Sequence, residues 1–132
     1  MIRITNESSL PEPERPQVYF SGALHGNERI GPTATLEFAI LLVDHASRSN
    51  GNAWLQHLVN TRMIYITPTT NAYGYSHNAR GELGTDTNRD YNYMHAPKCM
   101  QTMTSRVVNE LFRDHIFQLA ITFHAGMRAV GK

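Results

Sequence analysis

The side chains best suited to chemistry in this 132-residue sequence are its histidines and arginines. Seven histidines point to metal ligation, and ten arginines against two lysines point to recognition of carboxylate or phosphate. His25 and Glu28 form an H-x-x-E pair in the glycine-flanked stretch GALHGNE, directly after the apolar run QVYFS. One such pair carries little by itself. Its place after a strand-like run lets both side chains converge on one point, and His124 stands at the end of another apolar run, QLAITF. Together, His25, Glu28 and His124 make a His₂Glu set, which in catalytic zinc sites leaves a fourth position open. Zinc (Zn2+) in such a set activates water and polarises a carbonyl, so the expected reaction class is hydrolysis of an amide or ester.

A second constellation lies between the two metal motifs: Asn71, Arg80, Asn88 and Arg89. An arginine fork beside an amide matches the two oxygens of a planar carboxylate. An arginine nearer the metal suits the oxyanion that forms when water attacks a carbonyl. Asp86 and Asp90 flank the Asn88-Arg89 pair, so a loop that satisfies its own charges is an equally open reading. Tyr73, Tyr75, Tyr91 and Tyr93 are expected to pin this segment. His45, His57, His95 and His115 fall on helical or segment-end positions and read as structural or solvent-facing, while His77 is left undecided. The GELG turn lacks the lysine and helix start of a phosphate loop.

The elements that must position these residues follow from pattern. Ile2 to Thr5 reads as a short strand, and NESSLPEPERP as a proline-broken loop. Gln17 to Ser21 reads as a buried strand ending at Gly22. From Pro32, residues Leu36, Ala39, Ile40 and Val43 recur at helical spacing. Asn52 is placed to cap a short helix over AWLQHLV, and Arg62 to Thr67 is the next strand, stopped by Pro68. Thr69 to Pro97 reads as a long functional loop. Thr102 to His115 carries Met103, Val107, Val108 and Leu111 on one helical face, and Gln118 to Phe123 is a third apolar strand. Strands alternating with helices imply a parallel sheet with right-handed crossovers, in which ligands bind beyond the carboxyl ends of the strands. Those ends carry GALHGNE, the long loop and FHAGMR.

Composition narrows the alternatives. A chain of 14.9 kDa with 41% hydrophobic residues supports one domain with a modest core. A formal charge of +1 supplies no field for nucleic acid or an anionic membrane. The longest apolar run, Phe38 to Val43, falls far short of the roughly 20 residues that cross a bilayer. The single Cys99 forms no internal disulfide, and the opening MIRITNESS does not read as a signal peptide; both lean toward a reducing, cytoplasmic setting.

SGALHGNERIGP resembles the first metal motif of the zinc metallocarboxypeptidases of the carboxypeptidase A and N/E group. N-A-Y-G-Y with a downstream Arg resembles their N-P-x-G-[FY]…R segment, GTDTNRDYNY their G-x-D-x-N-R-[ND]-[FWY] segment, and FHAG their third-ligand strand. The resemblance runs from Gln17 to about Gly126. It implies His25, Glu28 and His124 as zinc ligands and Asn88 and Arg89 as binders of a substrate's terminal carboxylate. It further implies Asn71 as an assistant at that pocket, Arg80 as the oxyanion arginine, and the C-terminus of a peptide or protein as substrate. The implied fold is α/β, with a mostly parallel sheet, mixed in the full family domain, between helices on both faces. Ala72 replaces the usual proline, and Asn27 resembles the HGNE form of the N/E branch.

Family domains run to about twice this length, so residues 1–132 are expected to be the amino-terminal portion of one catalytic domain. On that expectation the specificity pocket and general-base glutamate lie outside the chain, leaving it a poor hydrolase; Glu82 and Glu110 are the acids that could substitute. The strand before His124 is expected to be an exposed edge prone to self-association. Zinc-dependent deacylases of N-acyl amino acids, of the aspartoacylase type, share H-G-N-E, an N-R pair and a later histidine, and form one alternative. A noncatalytic zinc or carboxylate-binding module is another, and an α/β domain without metal a third.

Overall fold

The computed structural model describes residues 1–92 and 98–127; Tyr93 and His95 lie outside the described residues. Four strands, β1 (Ile2–Ile4), β2 (Gln17–Gly22), β3 (Met63–Thr67) and β4 (Phe117–Phe123), form one sheet in the order β1-β3-β2-β4. β2 runs parallel to β3 on one side and to β4 on the other, and β1 closes the far edge antiparallel to β3. The sheet is therefore mixed, and the three parallel strands bring their carboxyl ends to one side.

Side-chain alternation along the strands divides the core. On one face Phe20, Ile64 and Ile66 pack with Ala39 and Leu42 of α1 (Ile30–Ser47) and Val59 of α2 (Ala53–Thr61). On the other, Tyr19, Met63 and Tyr65 pack with Phe117 and with Leu111 of α4 (Met103–Asp114). The Asn52 side chain accepts the Trp54 and Leu55 amides and starts α2, as its residue type predicts. Thr102 caps α4 by accepting the Ser105 amide.

Two expected helix faces are corrected. In α1 the buried residues include Thr35, Ala39 and Leu42, while Leu36, Ile40 and Val43 are exposed. This helix is apolar nearly all round, so spacing alone could not select the side that meets the sheet. In α4 Met103 and Val107 are exposed, whereas Thr104 and Ser105 are buried and Val108 and Leu111 half-buried. Polar residues turn inward there because buried carboxylates await them, as described below.

The long loop is also more ordered than expected. α3 (Ala72–Ser76) begins at Asn71, and Thr87–Arg89 forms a single 3-10 turn. A similar turn at Glu12–Glu14 interrupts the proline-rich stretch. That stretch is held by the buried guanidinium of Arg15, which donates to Thr5 Oγ1 and to the carbonyls of Glu7 and Leu10. No helix among the described residues is long and apolar enough to cross a membrane.

Candidate metal centre

β2 ends in a sharp turn that delivers His25. Ala23 occupies the left-handed region (φ 48°), a conformation uncommon for a side-chain-bearing residue, and its carbonyl accepts the Asn71 amide at 2.9 Å. Gly22 and Asn71 tie this turn to the end of β3: the Thr70 amide donates to Gly22 O at 2.9 Å. The Gly26 amide donates to Arg80 O at 3.1 Å. Gly26 itself lies so close to Gly74 that a Cβ would stand 2.0 Å from the Gly74 carbonyl carbon. The H-x-x-E turn is thereby clamped between β2, α3 and the loop that carries Arg80.

On this frame three donors meet. His25 Nδ1 lies 2.9 Å from Glu28 Oε1, and His124 Nδ1, arriving from the end of β4, lies 2.9 Å from Glu28 Oε2. The two imidazole rings stand 4.8 Å apart, centre to centre. One ligand atom from each of His25, Glu28 and His124 falls within 4.8 Å of the others. Tetrahedral zinc with bonds of about 2.0 to 2.2 Å needs donors separated by roughly 3.3 Å, so the set suits a single ion. His25 is buried, Glu28 nearly so, and His124 a third exposed, which leaves one open side.

A further carboxylate completes the surroundings of His25. Its Nε2 faces Asp86 Oδ1 at 3.1 Å. A neutral imidazole that donates Nε2–H to Asp86 turns a bare Nδ1 lone pair toward the Glu28 oxygen. Two such acceptors at 2.9 Å attract only with a proton or a metal cation between them, and a His–Glu ligand pair provides the second arrangement. A carboxylate behind a ligating histidine is the usual device for fixing its tautomer and raising its basicity.

Electrostatics agree. Burial pushes the Glu28 carboxyl up, but the Ala125 amide and the two imidazoles outweigh it and hold the group below the ordinary glutamate value. Asp86 is likewise raised by burial and pulled lower overall by the Asn88 amide, His25 and Arg80. Both stay ionised. Arg80, half-exposed, places Nη1 3.3 Å from Glu28 Oε1 and Nε 3.2 Å from Asp86 Oδ2.

The expected carboxylate binders divide. Arg80 sits at the donor cluster. Arg89 is exposed, and among the described residues its guanidinium donates to the Asn88 carbonyl alone. The half-buried Asn88 lines a cavity of about 460 Å³ with Leu24, which precedes His25, and Thr122, two residues before His124. Asn71 is different. Its side chain is fully buried, its Oδ1 accepts the Gly74 amide at 2.7 Å and its Nδ2 reaches Arg80 O at 3.5 Å. It braces the segment that carries Arg80, and every direction in which it could grasp a ligand is blocked.

Two acids offered by the sequence as substitutes for a general base are accounted for. Glu82 is buried and accepts the Met103 and Thr104 amides and the Thr104 hydroxyl, capping α4. Glu110 is exposed on α4 beside Arg113. Asp90, missed at sequence level as a structural acid, accepts the Gln101 and Thr102 amides and the Thr102 and Ser105 hydroxyls. The reading of a self-paired loop is therefore met in part: Arg80 pairs with Asp86, whereas Asp90 turns inward to α4. Tyr75 lies beneath the Arg29 guanidinium at 3.9 Å, and Tyr73 stacks on His77, so both pin α3 as expected.

The sequence model of a family described as zinc carboxypeptidase matches residues 1–131. The chain belongs to the zinc carboxypeptidase family. Carboxypeptidase D of Mus musculus is 24% identical over 131 residues, which cover 95% of this chain and 9% of that protein. The chain thus spans less than a tenth of the length of that relative. Among solved structures, carboxypeptidase A from Helicoverpa armigera superposes with a TM-score of 0.75 at 22% identity, covering 95% of this chain and 37% of that one. Thrombin activatable fibrinolysis inhibitor superposes with a TM-score of 0.78 at 16% identity, covering 94% and 38%. At such identities the superpositions establish the zinc carboxypeptidase fold. The family assignment makes this a chain of a zinc-dependent peptidase, hence hydrolase, family.

Proposed function

We propose that this chain supplies the zinc-binding and carboxylate-binding part of a metallocarboxypeptidase that removes C-terminal residues from peptides or proteins. The observation that carries the reading is the meeting of His25 Nδ1 and His124 Nδ1 on the two oxygens of Glu28, with the Arg80 guanidinium alongside. His25, Glu28 and His124 are the residues that would hold zinc, which when bound supplies polarisation of the scissile carbonyl and activation of water. Asp86 holds the His25 ring by its Nε2. Arg80 offers a fixed positive charge to the oxygen on which negative charge develops, a contribution whose removal typically costs 10² to 10³ in rate. Asn88 and Arg89 hold the terminal carboxylate and so set which peptide bond faces the donors. Asn71 serves by bracing the Arg80 segment.

Hydrolysis also needs a proton acceptor for the attacking water, a role worth about 10² to 10⁴ in rate. Glu82 and Glu110 do not fill it, since one is consumed in capping α4 and the other faces outward. The 132-residue chain is accordingly expected to bind zinc and turn peptides over poorly. The test pairs zinc content by mass spectrometry with C-terminal release from peptides and release from N-acyl amino acids. About one zinc per chain, lost in His25→Ala, with peptide turnover near background is the expected result. No zinc in the intact chain overturns the ligand assignment; fast peptide release overturns the expectation of weak turnover; preferential release from N-acyl amino acids moves the chain to the deacylases.

A further inference from the structure

The segment between Arg80 and Arg89 is fastened at both ends to the start of α4. Glu82 Oε1 accepts the Met103 amide at 2.8 Å, and its Oε2 accepts the Thr104 amide at 3.0 Å and the Thr104 hydroxyl at 2.7 Å. Asp90 Oδ1 accepts the Gln101 amide at 2.9 Å, and its Oδ2 accepts the Thr102 amide at 2.7 Å. The Ser105 amide goes to the Thr102 hydroxyl. Every amide from Gln101 to Ser105 is thus taken by a side chain, and all but the last by a carboxylate from this segment. Starting a helix needs one cap, and Thr102 already serves as that cap. Glu82 and Asp90 are 8% and 1% exposed, and burying an ionised carboxylate is costly unless amides and hydroxyls replace the solvent. Two such groups exceed what the helix itself requires.

The anchors stand beside the arginines. Glu82 follows Arg80 by two residues, and Asp90 is next to Arg89. Between them the backbone is braced: Glu82 and Thr85 exchange amide bonds at 2.9 Å in each direction, and the Arg89 amide donates to Asp86 O at 3.0 Å. The buried Thr87 hydroxyl donates to Leu24 O, on the residue before His25. At the other end the Arg80 carbonyl accepts the Gly26 amide. The backbones of Arg80 and Arg89 are therefore held relative to each other, and to the turn of His25, by bonds that are mostly buried.

We propose that Glu82 and Asp90 are positioning residues that fix the spacing between Arg80 and Arg89, and so select substrates in which a single α-amino-acid residue separates the carbonyl under attack from the terminal carboxylate. The inference rests on the roles proposed above for Arg80 and Arg89. A site that grips both ends of one residue discriminates by length, since a misplacement of about 1 Å can cost on the order of 10²-fold in rate.

The test compares ligands by nuclear magnetic resonance titration of the 132-residue chain in the presence of zinc. They are N-acetylphenylalanine, its homologue with one more methylene before the carboxyl, and N-acetylphenylalaninamide. The parent is expected to prefer the acid to its homologue by about tenfold, and to prefer it to the amide as well. Glu82→Gln and Asp90→Asn should bring the ratio of acid to homologue close to one, while zinc content and the preference for acid over amide persist. A merely structural role would weaken all three ligands in proportion and leave the ratio intact. Thr104→Val, which removes one bond of Glu82, should give an intermediate ratio, and Glu110→Gln, on the exposed face of α4, the parent's. Equal binding of acid and amide by the parent overturns the carboxylate reading and this inference together. A parent that separates acid from amide but not from the homologue overturns the inference alone. So does a ratio unchanged in the two carboxylate variants or, where these fail to fold, in Thr104→Val.

Discussion

At the level of single residues, the donor set was legible because its members sit where strands end. His25, Glu28 and His124 could be proposed from type and place alone, and the structure gathers their ligand atoms within 4.8 Å. Asp86 was not legible as the partner of His25. In the sequence it is 61 residues away, and the neighbouring Arg89 offered a nearer mate. Its role yields a prediction. Asp86→Asn keeps an oxygen facing His25 Nε2 but removes the charge that raises the imidazole's basicity. Zinc affinity should fall by about 10- to 100-fold, measured by competition with a chromophoric chelator, while the far-ultraviolet spectrum stays unchanged. An unaltered affinity would show that Asp86 does no more than anchor Arg80. Asn71 taught the opposite lesson: an amide in a loop reads as a ligand-binding group until burial shows it occupied by the Gly74 amide and the Arg80 carbonyl.

Among the elements, the strands and α2 were read from pattern because β-branched runs and the Asn52 cap announce themselves locally. The inward faces of α1 and α4 were not, since both depend on what lies opposite. For α4 the answer is a pair of carboxylates from the long loop. Glu82 and Asp90 cap its first turn and so fasten the segment bearing Asp86, Asn88 and Arg89 to the helix that leads into β4 and His124. Burial raises the Asp90 carboxyl, but the Ser105 hydroxyl, the Gln101 and Thr102 amides and the Thr102 hydroxyl pull it down to about 2. The depressed value means that this group favours the folded state above pH 4 and loses its contribution as pH falls toward 2. The contribution is on the order of 2 kcal/mol. Asp90→Asn should therefore lower stability to urea at pH 6 by an amount of that order. The difference from the parent should shrink between pH 4 and pH 2. A constant difference across that range would assign the loss to packing instead of charge.

For the whole molecule, the family's fold is held with a small core. Leu42, Met63 and Ile66 are fully buried, but much of α1 and β4 is exposed. Folding free energies of domains are small in any case, about 5 to 15 kcal/mol, so a ligand that joins distant segments has a large proportional effect. His25 and Glu28 follow β2, and His124 follows β4, nearly a hundred residues later. An ion held by all three bonds the two strands across their carboxyl ends, and an unfolded chain offers no comparable site. At a hundredfold excess over its dissociation constant, such a ligand stabilises the fold by about 2.7 kcal/mol. For a chain of this size that raises the melting temperature by on the order of 10 °C. Zinc added to the chelator-treated protein should restore that increment in the parent, and should fail to do so in His124→Ala. If zinc raised both melting points equally, the ion would be bound elsewhere, and the convergence of the two strands on Glu28 would be an ion-pair network without a metal.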